Sequence, residues 1–147
     1  MPLTTAAYLV SLALSGCSVI ITTGVFSGVS SARSVEIIAR VSAHGESVDT
    51  VTARITNVSG RAVFVPRCGS VPLLLPQQFV NGAWVAGNYP ACSAIDALAP
   101  IELDPGFTLV AVHVFGSSGR YRLVMTVGET EDFSTSSQST SNSFAVP

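Results

Sequence analysis

Val35-Glu36-Ile37-Ile38-Ala39-Arg40-Val41-Ser42-Ala43 reads as a β-strand. Val35, Ile37, Ala39, Val41 and Ala43 fall on one face, and Glu36, Arg40 and Ser42 on the other, with Ile38 the exception. Period two is the mark of a half-buried strand. His44-Gly45-Glu46 turns the chain, and Val51, Ala53 and Ile55 then alternate with Thr50, Thr52, Arg54 and Thr56. Asn57-Val58-Ser59-Gly60 is turn chemistry.

The same pattern continues downstream. Ala62-Val63-Phe64-Val65 is a third strand, stopped by Pro66. Leu73–Val80 and Ala83–Val85 flank Asn81-Gly82, a strong hairpin signal because both residues tolerate positive φ. Asp104-Pro105-Gly106 is another turn. Phe107–Phe115 is apolar on both faces, which predicts a central strand. Tyr121, Leu123, Met125 and Val127 line the next strand, Glu129–Ser141 reads as an acidic and then Ser/Thr-rich loop, and Asn142–Val146 adds a last short strand. About seven short strands at this spacing, without a sustained helical period, predict an antiparallel β-sandwich. Trp84 is expected as a core or corner residue. Tyr121 follows Gly119-Arg120 at a strand start, where a tyrosine corner places the hydroxyl on nearby backbone.

Ahead of this body the composition changes. No charged residue precedes Arg33. Ala6–Leu14 is an apolar core of the length a secretory leader needs. Leu14-Ser15-Gly16-Cys17 resembles the lipobox of a bacterial lipoprotein, in which the cysteine is lipidated and becomes the new N-terminus. The resemblance implies a signal peptide over residues 1–16, lipidation at Cys17, a tether over 17–33 and a folded domain over 34–147. Met1–Thr5 lack the Lys or Arg of a basic n-region; a start upstream of Met1 would supply it. Ser18 after the cysteine points to the outer membrane if the cell is Gram-negative. Three other readings compete: cleavage after Ser30-Ser31-Ala32 with secretion, a membrane helix over Ala6–Phe26, and a plain first strand with its tail. The Ser, Thr and Gly content of 15–24 suits a bilayer centre poorly.

The remaining length is that of one domain. The net charge of −2, with seven cations that are all Arg, gives no basic footprint for nucleic acid. With Cys17 assigned to lipid, Cys68 and Cys92 remain as a pair, and an oxidising envelope makes such a pair a disulfide. Closing that loop stabilises by roughly 3–4 kcal/mol on a chain-entropy estimate. A thiolate metal site would want a second ligand at C-x-x-C spacing, which neither cysteine has.

Thr56-Asn57-Val58-Ser59-Gly60, Arg67-Cys68-Gly69, Asn81-Gly82-Ala83-Trp84, Leu103-Asp104-Pro105-Gly106 and Gly119-Arg120-Tyr121-Arg122 follow one another in an order found in bacterial immunoglobulin-like domains. The order over about residues 50–127 is similar to that of the bacterial intracellular proteinase inhibitor family. The resemblance implies an immunoglobulin-like sandwich and carries no inhibitory loop onto any position here. Shared fold does not transfer function.

Catalytic chemistry finds few footholds. The only histidines are His44, beside a turn, and His113, within an apolar strand; neither lies near a nucleophile motif. His44, Cys68, His113 and Met125 supply the residue types of a copper site without its close Cys-His-Met run. Glu129, Glu131 and Asp132 offer oxygens for calcium without a known loop pattern. The expectation is a non-enzymatic envelope lipoprotein with no cofactor. It meets the membrane through its lipid and a protein partner through an edge or through loops 69–77, 86–100 or 128–141. An extracytoplasmic proteinase inhibitor and a metal-binding envelope protein are the alternatives.

Overall fold

Alternation along the chain produces two antiparallel sheets that close on a shared apolar layer. The computed structural model describes residues 34–46, 48–87 and 99–147, all within the compact unit Arg33–Pro147. Its strands are β1 (Val35–His44), β2 (Asp49–Asn57), β3 (Val63–Val65), β4 (Arg67–Cys68), β5 (Val71–Pro72), β6 (Leu75–Val80), β7 (Ala83–Ala86), β8 (Ile101–Leu103), β9 (Thr108–Phe115), β10 (Gly119–Gly128), β11 (Ser136–Thr140) and β12 (Phe144–Val146). One sheet runs β1-β2-β9. The other large sheet runs β7-β6-β10-β3-β8, with β11 and β12 also paired to β10, and β4 and β5 form a separate two-stranded sheet. This is an antiparallel β-sandwich. Its strands outnumber the expected seven because Pro66 and the Gly69 turn break one stretch into short pieces, and because β11 forms inside the segment read as loop.

The inner faces carry the core. Val35, Ile37 and Ala39 of β1, Val51, Ala53 and Ile55 of β2, and Ala111 of β9 face Val63 and Val65 of β3, Leu103 of β8, and Leu123, Met125 and Val127 of β10. The Val, Ile, Leu and Met side chains among them each contribute roughly 1.5–3 kcal/mol from removal of apolar surface from water, the alanines less. At one end Phe115, Tyr121 and Phe144 interlock, with Phe115 4.7 Å from Tyr121 and 5.6 Å from Phe144 between ring centroids. The alternation of β1 holds through Val41, which packs against the core, and then departs. A register shift between Val41 and Ala43 inserts Ser42, and Ala43 turns outward to solvent.

Turns fix the register. Asn81 (φ 49°) and Gly82 (φ 87°) make the β6–β7 hairpin in the expected left-handed conformation. Asp104-Pro105-Gly106 closes with Phe107 N–H donating to the Asp104 carbonyl. Gly106 at φ 80° then forms a bulge in which its N–H reaches the Asn57 carbonyl while Asn57 N–H reaches that of Phe107. Asn57 itself is fully buried. Its Nδ2 donates to the Arg61 and Leu103 carbonyls, and its Oδ1 accepts from the N–H and hydroxyl of Ser59. One side chain therefore holds the Asn57–Arg61 turn against the end of β8.

Candidate functional site

The bulge at Gly106 determines which way β9 presents its backbone. Asn57 bonds to Phe107, and the β2–β9 register runs unbroken from Thr56↔Thr108 to Asp49↔Phe115. In an antiparallel ladder, bonded and non-bonded pairs alternate. Leu109, Ala111, His113 and Phe115 therefore bond to β2, and the N–H and C=O groups of Thr108, Val110, Val112 and Val114 point away from it. Among the described residues no strand pairs with that side of β9.

Among the described residues β9 is an edge strand, where the sequence predicts Phe107–Phe115 as central. Its inner face, Ala111 and Phe115, enters the core. Its outer face shows Val110, Val112 and Val114 to solvent at 59%, 60% and 64% exposure. An apolar run on both faces of a strand fits burial between two layers, and equally fits an edge whose outer face is left bare.

Beside this edge lies a cavity of about 630 Å³. Val112–Phe115 form one wall and Leu73–Pro76 another, with Gln78, Ser117, Tyr121 and Cys68 completing the lining. The Tyr121 hydroxyl donates to the Ser117 carbonyl at 3.1 Å and lies 2.9 Å from the Ser117 hydroxyl, the backbone anchoring expected of a tyrosine corner. His113 is half-buried against this space, and burial pushes its pKa below the ordinary histidine value. That shift favours the neutral imidazole, on a wall otherwise lined mainly by apolar residues.

On the outer face of the other sheet, Phe79 and Trp84 pair across the β6–β7 hairpin with centroids 5.0 Å apart. The Arg122 guanidinium lies 4.5 Å from the Trp84 ring, and Arg120 lies 5.5 Å from Phe79. Arg122 Nε also donates to Gln77 Oε1 at 2.8 Å. Of the core and corner places read for Trp84, the core is not taken: the ring is half-exposed beneath two arginines. Its register opposite Phe79 places it on the solvent side, and cation–π contact substitutes for burial.

The other sequence candidates fall in several places. Cys17 and Cys92 lie outside the described residues. Cys68 sits on β4 and is not free. His44 ends β1, with its Nδ1 2.7 Å from Asp49 Oδ1. Met125 is fully buried in the core. Glu129 pairs with Arg61, Glu131 is exposed, and Asp132 accepts from the Thr130 hydroxyl and Ser134 N–H, which hold its carboxyl at about 2. Among the described residues no three His, Cys, Asp or Glu gather as a metal site. Loops 69–77 and 128–141 contain β5 and β11, and most of 86–100 lies outside the described residues. The open β9 edge was missed from sequence. Its one signal was three valines at alternate positions without a charge among them.

No protein-family model matches this chain, and a search of curated proteins finds no match.

Proposed function

We propose that this chain is a non-enzymatic lipoprotein of the bacterial cell envelope, anchored through Cys17, whose sandwich binds protein by strand addition at β9. The observation that carries the binding half is the backbone edge of β9, unpaired among the described residues and bordered by three exposed valines. Strand addition draws affinity from main-chain hydrogen bonds and specificity from pockets for alternate side chains; the cavity beside Val112 and Val114 is such a pocket. The envelope half rests on the leader and on Leu14-Ser15-Gly16-Cys17. A Cys68–Cys92 disulfide belongs to the same proposal. β4 and β5 have two residues each, and an oxidised tie suits so short a hairpin in a compartment that permits it.

The test uses the chain expressed with its own leader. Labelled palmitate should enter the wild type and be absent from Cys17→Ser. Chemical cross-linking of intact envelopes should give an adduct that Val112→Lys abolishes while the circular dichroism spectrum is kept. A charge on an edge strand blocks strand addition. Unlabelled wild type sinks the anchor, and an adduct unchanged in Val112→Lys sinks the binding edge.

A further inference from the structure

The geometry points to a second copy of this chain as the occupant of the β9 edge, joined antiparallel about a two-fold axis at Val112, so that two three-stranded sheets become one of six strands. The inference rests on the reading of β9 as a binding edge.

The first argument is self-complementarity. Under this operation Val112 faces Val112 of the second copy, and Val110 faces Val114 of the second copy at both ends. The four residues whose backbone groups point outward include all three valines. Each valine rung is therefore a bonded rung, supplying two hydrogen bonds, about six in all. Valine meets valine in every rung on the outer face, and matched β-branched pairs stabilise a sheet. On the inner face Ala111 meets His113 of the second copy, a small residue opposite a ring.

The second argument is the absence of a guard. Proteins blunt their edges with charge, proline, bulges or short length. β9 has eight residues, Thr-Leu-Val-Ala-Val-His-Val-Phe, with none of these devices. Among the described residues the other edges of the two large sheets are guarded, short or polar: β12 has three residues and β11 is Ser-Ser-Gln-Ser-Thr. β1 carries Glu36 and Arg40, a register shift, and side chains from the opposite sheet on its backbone. β7 has four residues and β8 three, with Glu102 in the middle. A symmetric pair also brings no like charges together along the shared edge, because β9 has no acid or base other than His113, whose ring lies on the inner face.

Edge pairing alone gives a small interface, and interfaces below about 1,200 Å² are transient between freely diffusing partners. Confinement raises the effective concentration, so the test is made in membranes.

The full chain with Val112→Cys is oxidised in envelopes beside the wild type. Bonded antiparallel pairs have Cα atoms about 5.5 Å apart, within disulfide range. A reducible band at twice the monomer mass is expected for Val112→Cys and absent in wild type. Val110→Cys alone should give no such band, since the two positions would lie more than about 13 Å apart. Val110→Cys and Val114→Cys expressed together should give it. A Val112→Cys chain with native circular dichroism that stays monomeric overturns the dimer, as does equal cross-linking by Val110→Cys alone. If Val112→Cys cross-links to a different protein, the second copy is refuted and the binding edge stands. If neither adduct forms, both fall.

Discussion

Asn142 hydrogen-bonds both backbone groups of Ala39. Its Oδ1 accepts from Ala39 N–H at 2.8 Å, and its Nδ2 donates to the Ala39 carbonyl at 2.9 Å. A side-chain amide here takes the place of a neighbouring strand. Ser139 repeats the device lower on β1, its hydroxyl donating to the Val35 carbonyl at 3.0 Å. The two edges of the three-stranded sheet are therefore unequal: β1 is tied to the opposite sheet, and β9 has no pairing strand among the described residues.

Removing that amide leaves a buried N–H and C=O without partners. Asn142→Ala should cost about 1–3 kcal/mol per orphaned group, read as a lower urea midpoint with an unchanged slope. Ser143→Ala, next to it, removes a hydroxyl that accepts from Arg120 at the surface and should move the midpoint far less. Equal midpoints for Asn142→Ala and wild type would show that water replaces the amide without penalty.

Tyr121 joins two roles that substitution can separate. Tyr121→Phe keeps the ring against Phe115 and Phe144 and loses the bond to the Ser117 carbonyl, at a cost of about 0.5–1.5 kcal/mol. Tyr121→Ala removes the ring as well and should cost about 3–5 kcal/mol. Thermal melts of the two variants should rank in that order. A Phe variant as unstable as the Ala variant would put the whole contribution in the hydroxyl.

Local features of this fold were legible in the sequence, and distant ones were not. Val35, Ile37 and Ala39 share one face, with Glu36 and Arg40 on the other despite Ile38, and Asn81-Gly82 carries its own backbone preference, so strand and hairpin follow from a few adjacent residues. The place of β9 depends on what lies beyond it, and no pattern within Thr108–Phe115 encodes a missing neighbour. Trp84 fails for a related reason. Its hydrophobicity predicts burial, but pairing with Phe79 fixes the face, and Arg120 and Arg122 come from a strand nearly forty positions away. Asn142 reaches Ala39 across 103 positions, a link that short-range reading has no means to find. Asn57 was read as a turn residue, which it is; that its side chain also holds Leu103 needed the fold.

The exposed valines should be nearly neutral for the monomer. Val110→Thr, Val112→Thr and Val114→Thr keep β-branching at positions more than half exposed, and surface changes of this kind fall within about 0.5 kcal/mol. Urea midpoints should stay with the wild type while cross-linked adducts in envelopes decline. A large loss of stability in any of the three would mean that the outer face is covered within the monomer.

Acid should weaken the fold in two separate windows. His113 has its pKa lowered by burial, so the unfolded chain binds its proton at higher pH than the folded one. Where the unfolded state holds more protons, stability rises with pH. The His113 contribution is therefore complete above the ordinary value of 6.5 and is lost as pH falls below it, down to the folded pKa. Asp132 acts lower, since its folded carboxyl titrates at about 2 against 3.8. Its contribution is present above 3.8 and is lost as pH falls toward 2. It is fully exposed, so its share should be small and sensitive to salt. Urea midpoints at pH 7.5 and pH 5.0, with the pH values chosen to span the ordinary histidine pKa of about 6.5, isolate the first window. Wild type should be less stable at the lower pH, and His113→Gln should shrink the difference. A His113→Gln protein with the full wild-type difference would assign the acid sensitivity to other groups.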